Sequence, residues 1–269
     1  MKALVTGVSR GIGRGICVRL AKDALARGES ARIVATATGK SPDLNNVVEE
    51  LRAMGAQAHA VTGDLTDAEA PARIVAEATD FCGGLDALVN NAGFPIVGRL
   101  RDVKVRHWDL MFAINVRSTL LLGNAAHAAL KASGGAICAI GSNAAETVSP
   151  NLTGYSASKA ALVMLVKTMA YEWGPDGIRV NCVSPGMTHS RSTEKAWAVE
   201  GAVDQRASKV PLRRLGTPED IAAMVSFLVG PDSTYVTGQN VNVDGGVPLV
   251  TMEYVVPQDT NYIRDKPRP

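Results

Sequence analysis

Tyr155 and Lys159 stand four residues apart in Gly154-Tyr155-Ser156-Ala157-Ser158-Lys159, and on a helix that spacing puts a phenol and an ammonium on one face. A phenol titrating near pH ~10 is a poor acid or base at neutrality, and a cation held beside it favours the phenolate. Ser142, just beyond the apolar run Gly135-Ala136-Ile137-Cys138-Ala139-Ile140, offers a hydroxyl to hold a substrate oxygen next to that phenol. Alone, a Tyr-x-x-x-Lys pair is more often an ordinary amphipathic helix pair, so its meaning rests on the elements that would position it.

Those elements begin at the N-terminus. Ala3-Leu4-Val5-Thr6 reads as a strand, Gly7-Val8-Ser9-Arg10-Gly11-Ile12-Gly13 as a glycine-rich turn, and Ile16, Cys17 and Leu20 as one side of a helix. Strand, glycine turn and helix in that order open a dinucleotide-binding βαβ unit, whose helix N–H groups meet a pyrophosphate. Ala31-Arg32-Ile33-Val34-Ala35-Thr36 reads as the second strand. It ends in Thr36-Ala37-Thr38-Gly39-Lys40, with no carboxylate to bind ribose hydroxyls and repel an added phosphate. Arg10, Lys40 and the Thr38 hydroxyl suit a 2′-phosphate; the alternative is that both cations are only solvated surface charges.

A helix is expected from about Leu44 to Met54, and a third strand over Ala58-His59-Ala60-Val61-Thr62-Gly63 ends at Asp64-Leu65. The fourth strand, Leu85 to Val89, ends in Asn90-Asn91-Ala92-Gly93. In an open α/β sheet the strand carboxyl ends share one crevice, so Gly7, Thr38, Asp64 and Asn91 are expected to face it. Asn115 is an amide in an apolar helical stretch with Trp108, Met111 and Phe112, which points to a functional or a helix-bending role. Ile178 to Val183 is the sixth strand, followed by Ser184-Pro185-Gly186, and Asn240 to Gly246 supplies a last strand and turn. Thr217-Pro218-Glu219-Asp220 starts a helix with an N-cap, a proline and acids in the first turn.

The alternation specifies one doubly wound parallel α/β sheet, a Rossmann-type arrangement with helices on both faces, over residues 1–247. Residues 187–210 read as a substrate lid or a plain surface excursion, and 248–269 as an irregular tail. Lys and Arg number 28 against 26 Asp and Glu, so charge implies neither nucleic acid nor an acidic membrane. No apolar run approaches a membrane span and no secretory pattern opens the chain, which makes the expected location cytoplasmic. Cys17, Cys82, Cys138 and Cys182 lack metal-ligand spacing and read as reduced core thiols, so no metal is expected.

Thr6-Gly7-x-x-x-Gly11-Ile12-Gly13, Asp64-Leu65, Asn90-Asn91-Ala92-Gly93, Asn115, Ser142, Tyr155-x-x-x-Lys159 and Pro185-Gly186, in that order, resemble the short-chain dehydrogenase/reductase family up to Gly246. The resemblance implies that Gly7, Ser9, Arg10, Ile12 and Gly13 surround the dinucleotide phosphates, Asp64 and Leu65 hold adenine, and Asn91, Ala92 and Gly93 line the nicotinamide ribose side. Pro185, Gly186 and Thr188 complete the implied cofactor set, with Thr38 near the extra phosphate. It also implies a tetrad of Asn115, Ser142, Tyr155 and Lys159, in which Tyr155 exchanges the proton, Ser142 holds the substrate oxygen, Lys159 lowers the tyrosine pKa and binds ribose, and Asn115 holds a water. Thr36-Ala37-Thr38 and Ser9-Arg10 are most similar to the 3-oxoacyl-acyl-carrier-protein reductase branch, whose members use NADPH.

The chain departs from that branch in a longer first helix region, in the extended tail, and after Pro185-Gly186, where Thr188 and Ser190 compete to hold the carboxamide. By position, Ser142, Asn143, Ala144, Asn151, Thr153, Met187 and Trp197 are expected at the substrate. The expectation is an NADP-dependent carbonyl–alcohol oxidoreductase that works as a homo-oligomer, dimer or tetramer. Its alternatives are an NAD-dependent alcohol or dihydrodiol dehydrogenase and, in another class, a nicotinamide-binding regulatory protein without turnover.

Overall fold

A computed structural model describes residues 1–39, 41–148, 151–189 and 201–252. Seven parallel strands form one sheet in the order β3-β2-β1-β4-β5-β6-β7. They are β1 (Lys2–Val5), β2 (Arg32–Ala37), β3 (Gln57–Thr62), β4 (Ala87–Asn90), β5 (Ala136–Ile140), β6 (Arg179–Pro185) and β7 (Asn240–Val243). The predicted doubly wound α/β sheet is therefore the observed one.

The strands are short runs of small and β-branched residues because both faces are covered. Alternation along β1 sends Ala3 and Val5 to one core and Leu4 to the other. The first core packs α1 (Ile12–Ala26), α2 (Pro42–Ala53) and the late helix Pro218–Val229 against the sheet through Ile16, Leu20, Val47, Leu51, Ile221 and Val225. The second packs α3 (Ala70–Cys82), α5 (Ser118–Ser133) and α6 (Tyr155–Trp173) through Ile74, Leu122, Leu130, Leu162 and Val166. All four cysteines are free and buried.

Chain order along the sheet reverses between β1 and β4, the switch point at which such sheets open a crevice. The late helix is fixed at its start by the capping box between Thr217 and Asp220, as its sequence predicts. Arg214 grips the same carboxylate at 2.6 and 2.8 Å and holds it well below the usual carboxylate range.

Between α4 (Val105–Phe112) and α5 the chain makes a π-helical turn, Ala113–Arg117, with Asn115 buried at its centre. The amide for which the sequence left a functional or a helix-bending role therefore sits at an irregularity of the helix, and π-turns are frequent at functional sites. Of the lid expected over 187–210, the described part holds an isolated parallel bridge between Thr188 and Gly216 and the short helix Ala202–Ala207. Lys40, Ser190 and Trp197 lie outside the described residues, as does most of the expected tail. Among the described residues no helix is long and apolar enough to cross a membrane, and no cluster of three or more His, Cys, Asp or Glu has metal-binding proximity.

Candidate active site

At the switch point α1 begins at Gly11, with φ of 63°, no side-chain cap and no acid in its first turn. Its first N–H groups are left for a ligand, in the geometry that receives a phosphate. Glycine is required here. A Cβ on Gly13 would overlap the Gly7 carbonyl and come within 2.7 Å of Asn91 Nδ2, so only glycine lets the helix start so close to β1.

Two asparagines at the end of β4 build the floor. Asn91 Nδ2 donates to the carbonyls of Thr6 (3.0 Å) and Gly7 (2.9 Å), and its own N–H donates to Thr6 Oγ1. Thr6 Oγ1 in turn donates to Asn90 Oδ1 at 2.7 Å, and Asn90 Nδ2 donates to Ser118 and Thr119 on α5. Both clasp neighbouring elements, Asn90 fully buried and Asn91 partly so, more than the loop caps that their type alone would suggest.

The cavity over this floor has a volume of about 680 Å³ and is lined by Gly7, Ser9, Arg10, Ile12, Asn91, Ala92, Gly93, Ser142, Tyr155, Lys159, Pro185, Gly186, Met187 and Thr188. Most of the cofactor residues predicted from the sequence line it; Gly13, Thr38, Asp64 and Leu65 do not. Thr38 and Asp64 sit at the ends of β2 and β3, exposed and outside that lining, so of the four strand ends expected to share a crevice only Gly7 and Asn91 border this one. Leu65 has its side chain in the second core, with Ile74 and Val75. Asn143, which starts a 3₁₀ turn, is not in the lining. Ala144, Asn151 and Thr153 line an adjoining groove.

The four residues that the resemblance implied as a tetrad lie close together. Lys159 is buried on α6, and its Nζ donates to the Ile140 carbonyl at 2.6 Å while lying 5.7 Å from the Tyr155 ring centroid. Burial lowers its pKa to about 8. Burial also pushes the Tyr155 phenol up, with the Ser142 hydroxyl pulling it back down. Burial of the phenol thus acts against the lowering expected from its lysine.

The Asn115 side chain holds neighbours. Its Oδ1 accepts from Phe94 N–H at 3.1 Å, and its Nδ2 donates to the Phe94 carbonyl at 3.2 Å and to Ser158 Oγ at 3.0 Å. Phe94 and Pro95, which the motifs did not single out, line the cavity and are sewn to the start of α6. Thr153 Oγ1 donates to the Ile96 carbonyl at 2.7 Å and Gly98 N–H to the Asn151 carbonyl at 2.8 Å. Thr153 and Asn151 both carry positive φ, at 49° and 62°, a strain that persists where surrounding contacts enforce it and that clusters at ligand sites. Their place directly after a strand-end Asn-Ala-Gly was the one signal that marked Phe94 and Pro95.

The family model described as Enoyl-(Acyl carrier protein) reductase matches residues 7–248. The human protein named Dehydrogenase/reductase SDR family member 4 is 36% identical over 248 residues, covering 91% of this chain and 87% of its own. A short chain dehydrogenase from Burkholderia cenocepacia, solved in complex with NADP, is 35% identical with a TM-score of 0.84, covering 92% of this chain and 97% of its own. A blue fluorescent protein from a metagenomic library, solved with NADPH, is 35% identical with a TM-score of 0.82, covering 91% of this chain and 96% of its own.

Proposed function

The chain belongs to the short-chain dehydrogenase/reductase family of oxidoreductases, and we propose that it is an NADP-dependent reductase that turns a carbonyl into a secondary alcohol with Tyr155 as proton donor. One observation carries this reading: the phenol, the Ser142 hydroxyl and the Lys159 ammonium line the same cavity as the glycine turn that leads into an uncapped helix N-terminus.

The residues present fit the dinucleotide. The free N–H groups of α1 suit its pyrophosphate, and the cradle at Gly7 and Gly13 admits backbone approach that a Cβ would block. β2 ends without a carboxylate, and the exposed Arg10 in the glycine turn supplies positive charge for a 2′-phosphate. The neighbours solved with NADP and NADPH support the same choice. When bound, the reduced nicotinamide supplies a hydride to the carbonyl carbon.

The chain's own groups handle the oxygen. Ser142 Oγ donates to the substrate oxygen and orients it toward Tyr155, which gives up its phenolic proton as negative charge develops there. Donors aimed at developing charge are commonly worth about 3 kcal/mol of barrier each. A phenol pushed up by burial is fully protonated at neutral pH, the state a donor needs in the reductive direction. Lys159, charged below about pH 8, restores that proton and holds the cofactor ribose. Asn115 keeps the Phe94 wall and Ser158 in place around them.

The reading includes a homo-oligomer, since Met164 and Tyr171 on α6 expose apolar surface that a second copy would cover, and a cytoplasmic location, where four free thiols persist. The test is NADPH and NADH oxidation against β-ketoesters, cyclic ketones, quinones and hydroxyketones, with Tyr155→Phe alongside. Turnover that prefers NADPH and vanishes in the variant is expected. Undiminished turnover in Tyr155→Phe would end the assignment.

A further inference from the structure

Ser142 lies at the head of a loop, residues 141–147, that leaves β5 and forms one wall of the cavity. The loop's start is fixed by the sheet: Gly141 N–H donates to the Val183 carbonyl at 2.7 Å. Its far end is fixed by Glu146, an exposed carboxylate that nothing in the motifs marked. Glu146 Oε1 accepts from Asn240 Nδ2 at 2.7 Å and Oε2 accepts from Asn242 Nδ2 at 2.9 Å. Asn240 and Asn242 are two apart on β7, so both amides project from the same face of that strand. These two bonds hold the carboxyl below its usual range.

The contact continues inward. Asn240 Oδ1 accepts from Ser184 Oγ at 2.6 Å, and Ser184 Oγ packs so closely beneath Gly141 that a Cβ there would overlap it. One polar chain therefore runs from Glu146 through Asn240 and Ser184 to the underside of the residue that precedes Ser142. A carboxylate that served only to shield the edge of β7 would have no need of this return path.

Resting on the oxidoreductase reading for its chemical consequence, we propose that Glu146 is a positioning residue: through Asn240 and Ser184 it latches the 141–147 loop to the ends of β6 and β7 and so fixes the Ser142 hydroxyl opposite Tyr155. Glu146 lies outside the lining of the cavity that holds Ser142, Tyr155 and Lys159. Its effect falls on how often Ser142 is in place, hence on kcat, and not on NADPH affinity.

The polarity of the latch makes it testable by exchange. Glu146→Gln keeps the shape but turns one acceptor into a donor, which then faces the Asn240 amide, donor against donor. Adding Asn240→Asp restores every hydrogen bond in the chain: the new amide donates to the new carboxylate, Asn242 still donates to the remaining acceptor, and Ser184 still has its acceptor. Hydrogen exchange at residues 144–147, kcat, and NADPH affinity would be measured for wild type, Glu146→Gln and the double variant. We expect the single change to speed exchange in that loop and lower kcat, each roughly tenfold, with NADPH affinity unaltered, and the double change to recover both. Loosening confined to the β7 amides of Val241 and Val243, or a double variant no better than the single one, would overturn the latch. A wild-type chain that reduces no carbonyl would sink the reductase reading instead, and loop exchange would still decide the latch.

Discussion

The two ends of the cavity are built in opposite ways. Around Tyr155 and Lys159 the side chains are buried and tied: Asn115 to Phe94 and Ser158, Lys159 to Ile140, Asn90 and Asn91 to β1. At the other end Arg10 is exposed in the glycine turn after β1, with Thr38 and Asp64 exposed beyond the cavity lining. On the proposed function, the end that would handle the proton is held by protein contacts, and the end that would select the cofactor is not. Preorganisation concentrates where charge develops in the reaction, because water-like rearrangement there costs rate. A phosphate with two negative charges can order an arginine by itself.

The contrast predicts effects of very different size. Asn115→Ala removes three hydrogen bonds, the one to Ser158 buried and the two to Phe94 partly so, and should cost about 3 kcal/mol of stability in thermal or urea unfolding and depress kcat as well. A loss below about 0.5 kcal/mol, the scale of an ordinary surface change, would mean the buried end is not preorganised by that amide.

Lys159 gives the next effect, of opposite sign. Its folded pKa of about 8 lies below the ordinary lysine value of 10.5, so the folded state bears the full cost of the buried charge below about pH 8 and none above the unfolded value. Stability from this group therefore rises between those pH values, where the unfolded chain binds the extra proton. Lys159→Met should be inactive yet more stable than wild type by about 2 kcal/mol at pH 7, the gap closing as pH rises from 8 to 10.5. A destabilised, pH-independent Lys159→Met would contradict the trade-off.

Arg10→Ala, at the open end, should leave stability and saturating kcat unchanged while weakening NADPH roughly tenfold and NADH hardly at all. Equal loss for both cofactors would move Arg10 from the extra phosphate to the shared part of the dinucleotide. The smallest effect belongs to neither end: Asp220→Asn should cost about 1 kcal/mol at neutral pH, an advantage the wild type loses only as pH falls through the depressed carboxyl pKa, below the ordinary carboxylate range.

What the sequence made legible follows the same division. Glycines at Gly7, Gly11 and Gly13, the Asn90-Asn91 pair, Ser142, Tyr155 and Lys159 are fixed in type and spacing by strand ends and one helix turn, so linear order locates them. The irregularity at Asn115 was legible because an amide in an apolar helix demands partners. The latch was not: Glu146 lies 94 residues from Asn240 and 96 from Asn242, and no local pattern joins them. Nor was the raised Tyr155 pKa, since spacing reports a neighbouring lysine but not the burial that acts against it. Thr38 and Asp64 were expected in the same crevice as Gly7 and Asn91; they sit exposed at the ends of β2 and β3, outside the lining of the cavity that Gly7 and Asn91 border.

The most direct test of the central claim follows the hydride itself. NADPH carrying deuterium at both C4 positions would be incubated with the carbonyl that the panel finds best, and the alcohol analysed by mass spectrometry for wild type and Tyr155→Phe. The account predicts one deuterium on the carbinol carbon with the wild type, and product formation slowed by about a thousandfold in the variant although NADPH binds as before. Product without deuterium, or labelled product at the wild-type rate from Tyr155→Phe, would contradict it.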